Sequence, residues 1–399
     1  MSRDVAAKAW GKPNVFRKDR YSMFGEGLVM AESDQWVLHR HVIAPAFNPL
    51  KLKGMGNMMV ESTRKMIERW NYQINYGNNH EIDVEREIME TAGEIIAKSS
   101  FGMEDDENGK IVFRKLKELQ MVLFKSHRFV GVPFGKFFAI KKTLDAKKIG
   151  QEIDKLLISI INDRMKRGKS QEDLLGHLLQ ENNNEEGKRK LFSMRELVDE
   201  CKTFFFGGYE TTSLSITWSL LLLAMHEDWQ NQLRDEIKQV MGNGDFEVDL
   251  NLLHGLKKMK WVMNEALRLY PPSPNVQRQA KEDIRVDNFT VPKGTNIWVD
   301  LIAMHRDAAL WGSDANGFKP ERFMEDANGG CNHQMGYLPF GFGGRMCVGR
   351  NLSLMEYKIV LTLLLSRFRF KVSPSYQHSP AIMLSLRPTH GLPLIVQPL

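Results

Sequence analysis

The stretch PFGFGGRMCVGRNLS, residues 339–353, decides the interpretation of this sequence. The five fixed positions of the pattern F-x-x-G-x-R-x-C-x-G are occupied by Phe340, Gly343, Arg345, Cys347 and Gly349. With average residue usage, a chance match in a chain of 399 residues is on the order of one in ten thousand. Glycines permit a tight turn beneath a flat ligand. A helix that begins directly after the cysteine would favour a thiolate, so the pattern favours metal ligation over a buried free thiol.

Composition is that of an ordinary globular protein, with 42% hydrophobic and 26% charged residues. The three cysteines, Cys201, Cys331 and Cys347, lie far apart, which argues against a disulfide framework and against a CxxC zinc site. The net charge of +6 is mild and its basic residues are scattered, so no nucleic-acid footprint is predicted. No apolar stretch reaches about 18 residues, so no transmembrane helix is predicted.

Hydrophobic periodicity predicts a mainly α protein with a small β region. The predicted helices cover residues 51–75, 145–166, 195–226, 227–241, 258–270 and 348–366. Strand signals lie mainly between 275 and 305, with turns at Asp287-Asn288 and Pro292-Lys293-Gly294, and weaker ones at 381–397.

A second motif, Gly207-Gly208-Tyr209-Glu210-Thr211-Thr212, lies inside the longest predicted helix. Two glycines in a helix interior cost about 1 kcal/mol each relative to alanine. A helix tolerates that cost where its backbone approaches a ligand or opens a groove. An acid beside a hydroxyl suits proton delivery. On the residues alone, helix-packing glycines beside a polar surface turn remain an equal alternative.

Three further positions suggest buried charge. Glu265 and Arg268 share one helix face, although a pair at this spacing is usually an exposed ion pair of little value. Trp36 and Arg40, four residues apart on a helix, can direct an indole N–H and a guanidinium toward one carboxylate. Arg278 suits the same role from a strand, and an exposed structural arginine fits it nearly as well.

Together these motifs resemble the cytochrome P450 superfamily across essentially the whole chain. The resemblance implies a helix-rich triangular body with a minor β lobe. It also implies haem b (iron protoporphyrin IX) between the long central helix and the cysteine loop, with Cys347 as the axial ligand of the iron. The implied cofactor-binding residues are Trp36, Arg40, Arg278, Phe340, Arg345 and Gly349.

The resemblance also implies the roles of the other motifs. Thr211 would orient oxygen and its water, and Glu210 would support the proton relay. Tyr209 stands where many plant relatives carry histidine. A buried triad would serve the fold and haem retention; its members would be Glu265, Arg268 and Arg322.

The implied function is a haem-thiolate monooxygenase that hydroxylates a small hydrophobic plant metabolite or hormone-like molecule. Its electrons would come from NADPH through NADPH–cytochrome P450 reductase, and the enzyme would be a monomer on the cytosolic face of the endoplasmic reticulum membrane. The chain looks like plant clan 72, with its cytokinin-, brassinosteroid- and gibberellin-modifying enzymes, and most like its small 715A subfamily. Two alternatives remain open: an isomerase or dehydratase that needs no reductase, and an inactive haem protein.

Relative to this superfamily, residues 1–399 are expected to form the catalytic domain without the N-terminal anchor and the first β elements. That would leave an exposed sheet edge within residues 276–304. In a longer relative, residues 129–142 would dip into a membrane surface.

Overall fold

A computed structural model describes residues 9–77, 80–103, 107–124, 140–167, 173–183, 191–242 and 248–399. The stretch expected to contact a membrane therefore lies outside the described residues, except for its last three positions. None of the helices in the described ranges has the length and apolar character needed to cross a bilayer.

Helices dominate the described part of the chain. They are α1 (Asn14–Asp19), α2 (Tyr21–Phe24), α3 (Ser33–Ile43), α4 (Pro49–Gly77), α5 (Val84–Phe101), α6 (Glu107–Phe124), α7 (Ile140–Arg167), α8 (Leu174–Asn183), α9 (Met194–Met225), α10 (Glu227–Met241), α11 (Lys257–Leu269), α12 (Leu301–Arg306), α13 (Ala308–Trp311) and α14 (Arg350–Leu365). The mainly α prediction is confirmed.

The longest described helix, α9, runs through the core and packs against α5, α11 and α14. It begins at a capping box: the Ser193 hydroxyl accepts the Glu196 amide N–H at 3.2 Å, and the Glu196 carboxylate accepts the Ser193 amide at 2.8 Å. This pairing satisfies amides that a helix start would otherwise leave unpaired. Most of the helix is buried, as its apolar-rich sequence predicts.

Helix boundaries agree with the sequence prediction, apart from two deviations. Helix α7 begins at Ile140, five residues before the predicted start at residue 145. Helix α14 begins at Arg350, with Gly349 as its N-cap, so Cys347 lies three residues before the helix. Cys347 therefore lies just before the N-cap of α14, and the Gly349 amide at the start of that helix interacts with its thiol.

The described strands form small antiparallel sheets. One sheet orders β1 (Trp10–Gly11), β3 (Asn275–Ala280) and β6 (Asn296–Asp300); another orders β2 (Glu81–Asp83), β10 (Pro393–Pro398) and β7 (Phe368–Val372). Two hairpins join β4 (Ile284–Val286) to β5 (Phe289–Val291) and β8 (Pro380–Met383) to β9 (Ser385–Pro388). Trp10 and Gly11 pair with Ala280 and Gln279, so β1 covers part of the edge that was expected to be exposed.

The predicted triad forms at the end of α11. Arg268 donates two hydrogen bonds of 2.7 Å to Glu265, and both side chains are fully buried. The Nε atom of Arg322 lies 3.5 Å from the same carboxylate. Arg268 also donates to the carbonyl oxygens of His305, Ala315 and Gly317, at 2.8, 2.5 and 3.0 Å. One guanidinium thus fixes the irregular chain that leads toward the cysteine loop.

Two further bonds extend this frame to the loop itself. Tyr337 donates its hydroxyl to the Asn264 carbonyl on α11 at 2.9 Å. The Leu338 amide donates to Nε2 of the buried His305 at 3.1 Å. Because His305 accepts through Nε2, its neutral form is required, and burial lowers its pKa to about 4.

We predict that Glu265→Ala destabilises the protein by about 3–5 kcal/mol, because it leaves the Arg268 guanidinium buried without its carboxylate. Urea denaturation of the purified protein measures the loss. Lys319→Ala is the control, since it removes only an exposed ion pair with Asp314 and should change stability little. Equal effects of the two substitutions would contradict a structural role for the triad.

Candidate active site

The cysteine loop is closed by its own backbone. The Cys347 amide donates to the Phe340 carbonyl at 2.9 Å. Between them the chain turns at Gly341, with φ of +75°, and at Gly343, with φ of +68°. Only glycine adopts these angles without strain, which explains the fixed glycine of the pattern at position 343. The turn leaves the Cys347 side chain accessible.

The Cys347 thiol opens into a cleft within the protein. The Cys347 side chain is exposed to solvent, yet burial raises the pKa of its thiol. Both hold if the thiol lines a cleft, open on one side and surrounded by protein on the others. The Gly349 amide and the cations Arg40 and Arg350 oppose that rise without cancelling it. The Gly349 amide, at the start of the following helix, thus acts in the direction that favours a thiolate, while burial acts against it. A bound metal ion removes this proton, because a ligating cysteine must be deprotonated.

Helix α9 presents an open groove at its double glycine. A side chain at Gly207 would meet nothing within 4 Å, whereas one at Gly208 would collide with Ile96 of α5 at 2.4 Å. The hydroxyl of Thr211 donates to the Gly207 carbonyl at 2.9 Å, so residue and groove lie on one helix face. Gly207 therefore fits the interpretation of an open groove, and Gly208 fits that of a helix-packing glycine.

The two motifs meet where α9 crosses α14. The Thr212 hydroxyl donates to Ser353 at 3.0 Å, and Tyr357 donates to Ser219 at 2.7 Å. Thr212 directly follows the acid–threonine pair, and Ser353 lies in the first turn of the helix that follows the cysteine loop. The groove of α9 and the cysteine loop therefore flank a common region.

Glu210 points away from that groove into a buried polar network. Its Oε1 atom accepts from Gln120 of α6 at 2.5 Å and from Ser385 of β9 at 2.6 Å. Arg387 approaches to 4.0 Å, but its closer partner is Glu85, at 2.5 Å. Burial raises the pKa of Glu210, an effect that these donors only partly offset. The Oε2 atom has no hydrogen-bond partner among the described residues.

Tyr209 turns toward α6 rather than into the groove. Its ring meets Phe113 edge-on at 4.6 Å, and it is fully buried. Its hydroxyl has no hydrogen-bond partner within the described ranges. The residue therefore packs between helices and does not line the open face that carries Thr211.

The predicted cofactor-binding residues gather around the cysteine loop. Arg345 donates to the Ala31 carbonyl at 2.8 Å, and its guanidinium lies 4.3 Å from the ring centre of Trp36. Arg40 donates to the Met346 carbonyl at 3.0 Å, directly beside Cys347. Helix α3 thus delivers Trp36 and Arg40 to the same place, as their spacing predicts.

Two more cations complete the cluster, and sequence reasoning missed one of them. The positive charges of Arg278 and Arg345 and burial together lower the pKa of Lys12 to about 7. Burial, and the charge of Arg278, also lower the pKa of Arg345 to about 10. Glu32 is the one carboxylate that opposes these shifts. A single lysine in the segment GKP carries no sequence signal that separates it from the other basic residues of the chain.

This donor set fits haem. Four cations lie beside the cleft: Arg40 next to Cys347, and Lys12, Arg278 and Arg345 near the carboxylate of Glu32. Such an excess of partly buried positive charge is unfavourable unless anions balance it. The two propionates of a haem would supply them, and the accessible Cys347 thiol would supply the axial sulfur. Phe340 and Gly349 have backbone roles here, in closing the loop and in capping α14.

Comparisons with known proteins agree with this site. A family model described as Cytochrome P450 matches residues 3–393. Two cytokinin hydroxylases of Arabidopsis thaliana are 37% and 39% identical over 401 and 404 residues, covering 99% of this chain and 75% and 76% of their own lengths. Cytochrome P450 714C2 of Oryza sativa subsp. japonica is 36% identical over 394 residues, 98% of this chain and 74% of its own length.

Solved structures show the same fold. The cyanobacterial CYP120A1 with bound retinoic acid superposes with a TM-score of 0.82 at 23% identity, over 98% of this chain and 85% of its own. The heme domain of cytochrome P450DA gives 0.85 at 22% identity, over 99% and 85%. At these identities the likeness concerns the fold alone.

We predict that Lys12→Gln weakens haem retention, because one cation facing the propionates is lost. The rate of haem transfer to excess apomyoglobin measures the effect, and it should rise several-fold. Lys18→Gln is the matched control, since Lys18 is exposed on the nearby helix α1. Unchanged transfer from the Lys12 variant would place Lys12 outside the cofactor site.

Proposed function

The chain belongs to the cytochrome P450 family and is a haem monooxygenase, and on that premise we propose its reaction. It hydroxylates a small hydrophobic plant metabolite or hormone-like molecule, with O2 as the oxidant. Electrons come from NADPH through NADPH–cytochrome P450 reductase. The protein works as a monomer at the cytosolic face of the endoplasmic reticulum membrane.

The groove at Gly207 beside the Thr211 hydroxyl is the observation that carries this proposal. It supports a site where a small molecule reaches the face of α9 next to a proton-bearing side chain. An isomerase has less use for such a pair, because a rearrangement consumes no protons from the protein. When bound, haem with the Cys347 thiolate supplies the iron chemistry of oxygen activation.

Thr211 is proposed to position a proton at the open face of α9. Its hydroxyl hydrogen is directed to the Gly207 carbonyl at 2.9 Å, which leaves the oxygen lone pairs free to accept. A hydroxyl held in this way can accept a hydrogen bond from a neighbouring water. It can pass its own proton on only after its bond to the Gly207 carbonyl breaks and the hydroxyl turns toward the groove. The groove gives that water or a substrate room to approach.

Glu210 is proposed to hold the proton that Thr211 passes on. Burial raises the pKa of its carboxyl, which brings it toward the range in which it can carry a proton near neutral pH. Its partners on Oε1 leave Oε2 as the atom for that proton. Because consecutive helix residues point about 100° apart, the transfer to Thr211 needs a side-chain rotation or a bridging water.

Aromatic and aliphatic side chains favour a hydrophobic substrate. Phe206, one helical turn before Glu210, packs edge-on against Phe24 of α2 at 5.3 Å. Ile96 and Phe113 pack against Gly208 and Tyr209 of the same stretch of α9, away from the open face that carries Thr211. This apolar packing around the motif supports a hydrophobic ligand at the open face.

The test of this proposal is the absorption spectrum of the reduced, haem-loaded protein under carbon monoxide. A Soret band strongly red-shifted from that of histidine-ligated haem is expected, and Cys347→Ser should abolish the shift. Cys331→Ser is the control, because Cys331 lies outside the cysteine loop. A wild-type band like that of histidine-ligated haem would overturn the assignment of Cys347. Substrate turnover without O2 and NADPH would instead favour the isomerase.

We further predict that Thr211→Ala uncouples the reaction. NADPH consumption should continue while hydroxylated product falls about tenfold or more and hydrogen peroxide rises, because proton delivery loses its last donor. Thr217→Ala is the control: Thr217 makes the same bond, 2.8 Å to the Ser213 carbonyl, but in the buried part of α9. Equal coupling in wild type and the Thr211 variant would contradict the assigned role.

A further inference from the structure

Arg20, between α1 and α2, is a buried guanidinium without a carboxylate partner among the described residues. It is only 8% exposed. Its guanidinium makes a long hydrogen bond, 3.4 Å from Nη1 to Oε1 of Gln277, and its Nε atom has no partner in the described ranges. Burial lowers its pKa to about 10, with no carboxylate raising it. A buried cation of this kind is costly unless an anion joins it.

The surroundings of Arg20 suit a ligand that is part acid and part hydrocarbon. The guanidinium lies 4.5 Å from the ring centre of Phe16 and 5.8 Å from that of Phe124. Phe16 in turn packs against Trp298 of β6 at 5.7 Å. The Gln277 side chain donates to Asn275, which fixes its carbonyl oxygen toward Arg20. Cation, amide and aromatic faces therefore meet at one place.

This place lies on the α9 side of the cleft. Phe124 is one helical turn beyond Gln120, which holds Glu210. Phe24, four residues after Arg20, packs on Phe206 of α9. Packing contacts of α2 and α6 thus connect Arg20 to the stretch of α9 that carries Glu210 and Thr211. Residues 125–139, which follow α6, contain no Asp or Glu that could pair with it.

We propose that Arg20 recognises a carboxylate on the substrate, with Gln277 as a second polar contact, so that the substrate is an amphipathic carboxylic acid. The inference rests on the proposed monooxygenase function and names its substrate class. The acid is held by Arg20, the hydrocarbon body lies along the aromatic side chains toward the groove of α9, and oxidation falls on a carbon distant from the carboxylate.

Arg20 adds to a positive charge that the cofactor would not fully balance. Two propionates and Glu32 would give three negative charges against Lys12, Arg40, Arg278 and Arg345, because the ferric iron of the porphyrin would neutralise the Cys347 thiolate. Arg20 is close enough to lower the pKa of Lys12, so it adds a fifth positive charge to the same interior. A substrate carboxylate would neutralise it, which also explains why an aromatic side chain rather than an acid faces Arg20.

The test compares an acid with its neutral analogue on the haem-loaded protein. Dodecanoic acid and dodecan-1-ol are titrated at pH 7.5, where the acid is ionised, and binding is followed by the Soret shift and by calorimetry. The wild type should bind the acid at least about tenfold more tightly than the alcohol. Arg20→Gln should abolish that preference, Arg20→Lys should keep part of it, and the exposed-site control Lys18→Gln should keep all of it.

Each other outcome overturns the inference in a distinct way. Equal wild-type binding of acid and alcohol would show that no carboxylate site exists. If the Arg20→Gln variant still prefers the acid over the alcohol, another cation binds the carboxylate. Loss of haem from Arg20→Gln, with retention in Lys18→Gln, would make Arg20 a propionate ligand. Failure of the wild type to bind haem would refute the proposed function, while calorimetry would still report whether the acid is preferred.

Discussion

Unbalanced positive charge in the interior is the constraint around which this structure is organised. Lys12, Arg40, Arg278 and Arg345 come from four separate segments of the chain and converge beside Cys347. Burial lowers the pKa of each cation, and neighbouring positive charge lowers those of Lys12 and Arg345 further. Glu32 opposes the shifts of Lys12 and Arg345, and Cys347 opposes that of Arg40. Anions in the cleft would balance this charge. Because the β1–β3–β6 sheet, α3 and the cysteine loop lie beside these cations, bound propionates would stabilise the packing of these parts against one another.

The frame that holds these parts works without reference to the cofactor. Arg268 satisfies its donors on Glu265 and on three backbone carbonyls, so the connection between α12 and the cysteine loop is fixed by protein contacts alone. Glycines at 341 and 343 then supply backbone angles that other residues resist. The result is a loop whose shape exists in advance of its ligand. Preorganisation of this kind lowers the cost of binding, because little order remains to be imposed.

Local sequence patterns predict much of this site, whereas long-range packing determines the rest. Helix α10 and the bounds of α9 follow from periodicity. The triad of Glu265, Arg268 and Arg322 follows from the family resemblance, because spacing alone predicts only an exposed ion pair. Lys12 could not be found in this way, because its role depends on a two-residue strand that pairs with β3 some 270 positions later. The burial of Cys347 could not be predicted from the motif either. Motif spacing describes the neighbours of the sulfur, which lower its pKa, but not the depth of the cleft, which raises it.

The same reasoning explains why substrate class is harder to predict than reaction class. The proposed oxygen chemistry requires groups at fixed spacing on one helix, so Gly207, Glu210 and Thr211 form a recognisable sequence motif. Substrate recognition by Arg20 requires only that a cation from α1–α2, an amide from β3 and an aromatic ring from α6 meet in space. No spacing links positions 20, 124 and 277, and any of the basic residues of the chain could have filled the role. What distinguishes Arg20 is its burial without an anionic partner in the part of the chain that the structure describes, which is a property of the fold. Unpaired buried charge is therefore the feature by which a recognition residue can be found when the motif describes only the catalyst.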